Sequence, residues 1–279
     1  MKNINKKIRE AAKSGSTDEL KALLMDSGSN ELSKDVFGRT ALMWAAGGGR
    51  DAHVRLLLPV SDARAKDNMG ETALMLASGI GSASCVNLLL PASDALIKSK
   101  NGMTALMWSV LHGKQSCTSL LLPASDALAQ NNRGWTALMC AACGGNEDCV
   151  RLLLTASNAF AADEEGFTAL MRAAHYGHEA CVNVLMPTSD ALTKDNAGWT
   201  ALMHAAYSGN EACVRHLLPA GAPLTVKRDG LAASSCARKR GHESLAQFID
   251  TYVLAQNERT SIDAAVCPRA PRSRAAPRV

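Results

Sequence analysis

Cysteine is the residue type whose spacing most strongly suggests chemistry in this sequence. Five of the nine cysteines recur at one fixed interval along the chain, at Cys85, Cys117, Cys149, Cys181 and Cys213. Such a row of thiols could hold metal ions or form disulfides. Equivalent positions on stacked helices would lie about 8–10 Å apart, whereas a disulfide requires Cα atoms within about 7 Å. We therefore predict that these cysteines are small buried apolar residues.

The C-x-x-C pair of Cys140 and Cys143 is a second candidate. This motif indicates zinc mainly when a second pair of ligands follows at a set spacing, and no such pair follows here. His175 follows Cys143 at the same interval that separates the cysteines of the row, but two or three ligands do not make a closed tetrahedral site. The sequence also lacks the G-x-S-x-G, H-E-x-x-H and Walker-A phrases. We predict no metal, no cofactor and no catalytic residue, and thus a protein that is not an enzyme.

The interval of the cysteine row extends beyond cysteine and divides the chain into repeats of equal length. Glycines recur at this interval from Gly38 to Gly230, and six of them open the phrase Gly-x-Thr-Ala-Leu-Met. The polar residues around each glycine predict a turn, and the threonine predicts a helix N-cap. A second glycine series, from Gly49 to Gly241, ends the first helix, and a second apolar helix follows. Each unit would bury its apolar face only by stacking on its neighbours.

These phrases resemble the ankyrin repeat, which has a turn glycine, a Thr-Pro-Leu-His helix start, an Ala-Ala pair and a Val-x-x-Leu-Leu second helix. Residues 196–206, Asn-Ala-Gly-Trp-Thr-Ala-Leu-Met-His-Ala-Ala, show the match. The resemblance implies an all-α solenoid of stacked helix-turn-helix units with short β-turn or hairpin fingers. The homogeneous repeats also resemble those of ankyrin-only proteins found in some parasitic protists.

The repeats depart from the family pattern in three ways. Alanine replaces the proline at the first helical position, so a preset φ is lost. Methionine replaces the family histidine in all six clear copies, and we expect the hydrogen bonds of that histidine to be absent. The loop after the second helix is one residue shorter, and Ser-Asp usually stands where the family has Gly-Ala. We therefore expect tighter connections between repeats.

Both ends of the chain differ from the repeats. Residues 1–33 predict an N-terminal capping pair of helices. Residues 34–250 contain about seven repeats with a period of 32 residues, of which the last is degenerate and polar, as a terminal repeat needs to be. Residues 251–279 form a basic Ala/Pro/Arg tail, which we predict to be disordered from Glu258 onward because no apolar period continues there.

Composition and charge restrict the partners and the compartment. No stretch of about 18 apolar residues exists that could span a membrane, and no apolar run follows the N-terminal lysines as in a secretory signal. We therefore expect a cytoplasmic protein, with the nucleus as the alternative, and no membrane partner. The net charge is +4, and the surplus of basic over acidic residues lies in the C-terminal part of the chain. The tail arginines lack interleaved aromatics, so we do not predict nucleic-acid binding through them.

Aromatic residues are scarce, at eleven in 279 residues. Eight of them lie where the repeats differ from one another, or at a position that the family directs toward its concave groove: Phe37, Trp44, Trp108, Trp135, Phe167, Tyr176, Trp199 and Tyr207. Large aromatics at such positions are typical of binding hot spots. The alternative is that they cover the edges of the leucine and alanine layers beneath.

We predict that these eight residues bind a protein partner. Trp135, Phe167 and Trp199 share one position in successive repeats and should form a contiguous aromatic stripe. The function expected is that of an interaction module or adaptor that uses its groove and finger tips. The alternative is a regulatory subunit or inhibitor that masks an enzyme surface. We expect a monomer with no small-molecule substrate.

Overall fold

A computed structural model describes residues 2–27, 34–220 and 233–266. Within these ranges the chain forms sixteen α-helices and no strand. In chain order they are α1 (Lys2–Ser14), α2 (Thr17–Ser27), α3 (Ala41–Gly47), α4 (Asp51–Leu57), α5 (Ala73–Ile80), α6 (Ala83–Leu89), α7 (Ala105–Leu111), α8 (Gln115–Leu121), α9 (Ala137–Cys143), α10 (Glu147–Leu154), α11 (Ala169–Tyr176), α12 (Glu179–Leu185), α13 (Ala201–Tyr207), α14 (Glu211–Ala220), α15 (Ala233–Lys239) and α16 (Glu243–Val266).

The helices stack in two layers. The first helices of the units pack in the order α1, α3, α5, α7, α9, α11, α13 and α15, and the second helices from α2 to α14 pack in the same way. Buried alanine, leucine, methionine and cysteine side chains form one continuous core through the stack. The predicted all-α solenoid is therefore confirmed.

The six helices α3, α5, α7, α9, α11 and α13 begin in the same way. In each, the threonine hydroxyl accepts a hydrogen bond of 3.2–3.4 Å from the backbone N–H of the methionine three residues later. In two repeats the methionine Sδ also accepts from the threonine N–H, as between Met43 and Thr40 at 3.5 Å. The N-cap predicted from the threonine is present, and the methionine that replaces the family histidine packs in the core.

The fingers are tight turns, linked to one another by backbone hydrogen bonds. Asp67 N–H donates to Glu71 O at 2.9 Å and closes one turn, and Asn68 N–H donates to Phe37 O of the preceding turn at 2.9 Å. Gly70 has φ +76, and a Cβ there would lie 2.8 Å from the backbone nitrogen of Lys100. Glycine is therefore required both by the left-handed backbone and by the close approach of the next finger.

The last helix differs from the sequence prediction. Helix α16 continues to Val266, through the segment expected to be disordered from Glu258 onward. Residues 258–266 contain neither glycine nor proline, so nothing in their local chemistry ends the helix. The remainder of the predicted tail, 267–279, lies outside the described residues. None of the described helices combines the length and apolarity needed to cross a membrane.

Candidate functional site

The cysteine row lies inside the stack, on the second helices. All five of its members are buried, and the eight cysteines in the described ranges are free thiols. Burial raises the pKa of Cys181 to about 12 and that of Cys213 to about 11, so these thiols stay protonated and unreactive near neutral pH. No group of three or more His, Cys, Asp or Glu side chains suited to a metal ion occurs in the part of the chain that the structure describes.

One polar side chain organises each turn, and in three repeats it also links the turn to the following helix. Asp195 Oδ1 accepts from the backbone N–H groups of Ala197 at 2.9 Å and Trp199 at 2.8 Å, and its Oδ2 lies 2.8 Å from His204 Nε2. Asp35 makes the same turn, and its Oδ2 accepts from Trp44 Nε1 at 2.9 Å. The second carboxylate oxygen of each aspartate therefore holds the ring of the residue nine positions later, Trp44 or His204, over the turn.

The predicted stripe of Trp135, Phe167 and Trp199 is interleaved with other side chains. The Arg172 guanidinium carbon lies 4.4 Å from the centre of the Trp135 ring and 4.1 Å from that of Phe167. The His204 ring centre lies 4.4 Å from that of Phe167 and 5.2 Å from that of Trp199. These cation–π and ring contacts cover ring faces that the sequence prediction left free for a partner.

The other predicted binding residues have varied surroundings. Phe37 and Tyr176 are exposed, whereas Trp44, Trp108 and Tyr207 are partly buried. Tyr207 packs edge-on against Trp199, with ring centres 5.2 Å apart. Six of the eight predicted aromatics are thus held partly within the stack, and their role in binding remains a prediction.

One open part of the groove lies between Trp44 and Trp108. A cavity of about 530 Å³ separates the two indoles. Its lining is otherwise mostly apolar or glycine, with charged and polar side chains among it: Lys13, Arg39, Met43, Gly47, Gly48, Glu71, Met75, Leu76, Gly79, Ile80 and His112. Such a concave apolar site with a few polar groups is typical of ligand pockets.

The cavity exists because one repeat position changes along the chain. The residue after the Ala-Ala pair, or after its counterpart Ala-Ser in the second repeat, is glycine in the first two repeats, at Gly47 and Gly79. In the next four repeats the same position holds Leu111, Cys143, His175 and Tyr207. The space is therefore left by absent side chains, and larger residues occupy the equivalent position further along the stack.

Two further cavities adjoin the same tryptophans. One of about 660 Å³ lies between Trp44 and the first helix, and its lining includes Phe37 and Val36 at the first finger tip. Another of about 330 Å³ lies between Trp108 and Trp135. Trp44, Trp108 and Trp135 thus border a series of cavities along the N-terminal half of the groove.

The carboxylates at these cavities form hydrogen bonds and ion pairs with other groups of the chain. Burial acts to raise the pKa of Asp35, but hydrogen bonds from the Arg39 and Phe37 backbone N–H groups and from Trp44 outweigh it, and the pKa is lowered. Burial, together with the neighbouring Asp67, raises the pKa of Glu71. Arg39 donates to Asp67 Oδ2 at 3.1 Å and to Glu71 Oε2 at 3.3 Å.

The sequence prediction missed an exposed apolar row on the loops between repeats. Its members share one position in successive repeats and are 39–62% exposed: Leu96, Leu128, Phe160 and Leu192. In each case an Asp or Asn two residues earlier accepts the backbone N–H at 2.9 Å and fixes the loop. The repeat spacing was a signal that could have revealed this row.

The prediction also missed Arg172, His204 and the paired glycines Gly47 and Gly79. Comparing the repeats position by position could have found them, because all four lie at positions that vary between units. Their contacts could not have been predicted from such a comparison, because Arg172 packs on Trp135 of the preceding repeat, which is distant along the sequence.

Comparison with known proteins agrees with this architecture. A family model described as ankyrin repeats matches in three copies, over residues 8–101, 80–164 and 156–229. No curated protein matches the chain. Because the family matches together extend over well over half of the sequence and coincide with the stacked helix pairs, the chain belongs to the ankyrin repeat family.

Proposed function

We propose that this protein is an adaptor that binds a partner protein through its groove and finger tips. Ankyrin repeats are generally protein–protein interaction modules, and the family is typically non-enzymatic. The buried, unreactive thiols of the cysteine row suit a reducing compartment, the cytosol or the nucleus.

The cavity between Trp44 and Trp108 is the observation that carries the proposal. Its volume of about 530 Å³ is in the range of ligand pockets, and tryptophan is enriched at binding hot spots. The apolar floor, which includes Leu76 and Met75, is suited to a large apolar side chain of the partner. We therefore place the main contact in the N-terminal half of the groove.

The first two finger tips support the same location. Val36 is 85% exposed, Phe37 62% and Met69 53%, and the first two also line the cavity beside Trp44. Exposed apolar residues next to a concave site are typical of an interaction surface. Further along the groove, Trp135, Phe167 and Trp199 would contribute mainly through the ring edges that Arg172 and His204 leave accessible.

A substitution at Gly79 tests this location without removing an existing side chain. A Cβ at Gly79 would meet only Trp108 Cε3, at 3.7 Å, which is an ordinary van der Waals contact. Glutamine is also a better helix former than glycine. Gly79→Gln should therefore fill the cavity and leave the stack intact. Asn87→Gln, on an exposed position of the second helix in the same repeat, is the matched control.

The experiment is quantitative affinity capture from the native cell with wild type, Gly79→Gln and Asn87→Gln proteins. We expect proteins captured by wild type and Asn87→Gln to be lost with Gly79→Gln, while circular dichroism stays unchanged and the melting temperature does not fall. Capture of the same proteins by all three would reject the cavity as the contact. An activity assay on the captured partner then separates the adaptor from the alternative, an inhibitor that masks an enzyme.

A further inference from the structure

The first helix gives the N-terminal end of the groove a basic border. Helix α1 contains five basic side chains and one acidic one. Lys6, Arg9 and Lys13 line the cavity beside Trp44, and Lys13 also lines the cavity between Trp44 and Trp108. Clustered charge of one sign next to a concave site favours partners of the opposite sign.

The acidic side chains at the two cavities are already satisfied by the chain. Asp35 accepts three hydrogen bonds, from the backbone of Phe37 and Arg39 and from the Trp44 indole. Glu71 is paired with Arg39 at 3.3 Å, and Glu10 lies 3.8 Å from Lys6 of the same helix. Together the two cavities are lined by five basic and three acidic side chains, so the net charge of the lining that faces a partner is positive.

Lys13 lies where the basic border meets the apolar floor. Its Nζ is 4.7 Å from the centre of the Trp44 ring, and Lys13 has no carboxylate partner in the described parts of the chain. Arg39 lies 5.2 Å from the same ring, but its charge is already paired with Asp67 and Glu71. Lys13 can therefore pair with a carboxylate brought by a segment that places an apolar side chain beside Trp44.

We propose that the cavity between Trp44 and Trp108 binds an acidic peptide segment with a large apolar anchor residue. The anchor enters between the two indoles, over the space left by Gly47 and Gly79. The carboxylates of the segment face Lys13, and beside it Lys6 and Arg9, the side chains of α1 that line the cavity next to Trp44. This inference rests on the proposed function, and it adds the chemical class of the partner segment.

The test uses the full-length chain and a phage-displayed library of random dodecapeptides. The library is selected on the wild-type protein, and enriched peptides are then tested on Gly79→Gln and Asn87→Gln. We expect the peptides that bind wild type and Asn87→Gln but not Gly79→Gln to carry a net negative charge and a large apolar residue.

Charge reversal then tests the basic border directly with the selected peptides. Lys13→Glu should weaken their binding about tenfold, because a like-charge contact replaces an attractive one. Lys7→Glu makes the same change of net charge on the same helix, at an exposed position away from both cavities. It should change the dissociation constant only about twofold, since distant surface charges are screened by salt.

The outcomes separate the two proposals. Cavity-dependent peptides that are neutral or basic, or equal effects of Lys13→Glu and Lys7→Glu, would overturn the acidic preference and leave the binding site in place. If every enriched peptide binds Gly79→Gln as well as Asn87→Gln, the cavity is not a binding site, and both this inference and the proposed location fail.

Discussion

The Trp44 indole nitrogen donates to Asp35 Oδ2 over 2.9 Å and thereby fixes the ring over the turn of its own repeat. Trp108 occupies the equivalent position in the third repeat, but Ser99 replaces the aspartate there. The buried Trp108 Nε1 has no hydrogen-bond partner within the described structure. One difference at the turn thus leaves the second wall of the cavity less firmly held than the first.

Ser99→Asp should give Trp108 the partner that Trp44 already has. We expect the free energy of unfolding to rise by about 1 kcal/mol, the usual net value of a buried hydrogen bond. Ser99→Asn is the control, because its amide can accept from the turn backbone but presents a donor to the indole. Urea unfolding measures both variants. A gain from asparagine equal to that from aspartate would attribute the effect to the turn alone.

Arg172 should be essential for stability in the C-terminal half. Its guanidinium is buried and hydrogen-bonded to Asp163 and Glu165, besides packing on two aromatic rings. Arg172→Met would leave the buried Asp163 carboxylate without its cation and should cost about 3 kcal/mol. Arg151→Met, which breaks an exposed pair with Glu147, should cost at most about 0.5 kcal/mol. Similar losses in the two variants would contradict a structural role for the Arg172 contacts.

The cysteine thiols should be protected from alkylation in the folded state. Burial raises the pKa of Cys140 and Cys181 to about 12, and only the thiolate reacts rapidly. In a Cys267→Ser background, Cys143 should label first, because it is the one partly exposed thiol among the described cysteines. The others should label only in denaturant. Mass spectrometry after timed N-ethylmaleimide treatment gives the order, and early labelling of Cys149 or Cys181 would show that the stack opens locally.

Mild acid should destabilise the repeats around His175 and His204. Burial lowers the pKa of both imidazoles; Arg172 and Arg240 add to the effect at His175, while Asp195 opposes it at His204. The unfolded chain therefore binds more protons between the lowered folded pKa and the unfolded value. Stability rises with pH in that window and is lost as pH falls below about 6.5.

The measurement is urea unfolding at pH 7.5 and pH 5.5 with wild type and a His175→Gln/His204→Gln double variant. Glutamine can still donate to Asp195 but does not titrate in this range. The wild type should lose more stability between the two pH values than the double variant does. An equal loss in the two proteins would assign the pH dependence to other groups.

The sequence by itself determined the features that most repeats share. The threonine caps, the turn glycines and the leucine and cysteine positions follow from local chemistry and a constant repeat length, and the structure confirms the all-α solenoid that they predict. These features depend on hydrogen bonds within a unit or on a burial pattern that each unit repeats. Comparing the repeats of this one sequence with one another is enough to find them.

Only the tertiary structure decided which groove residues are covered and where the groove is open. Arg172 packs on Trp135 of the preceding repeat, and the cavity beside Trp108 depends on Gly79 one repeat earlier. Both are contacts between side chains from different repeats, so they depend on the combined shapes and charges of neighbouring units. The scarce aromatics led to the prediction of a binding surface, but their neighbours in the structure determine which ring faces remain accessible to a partner.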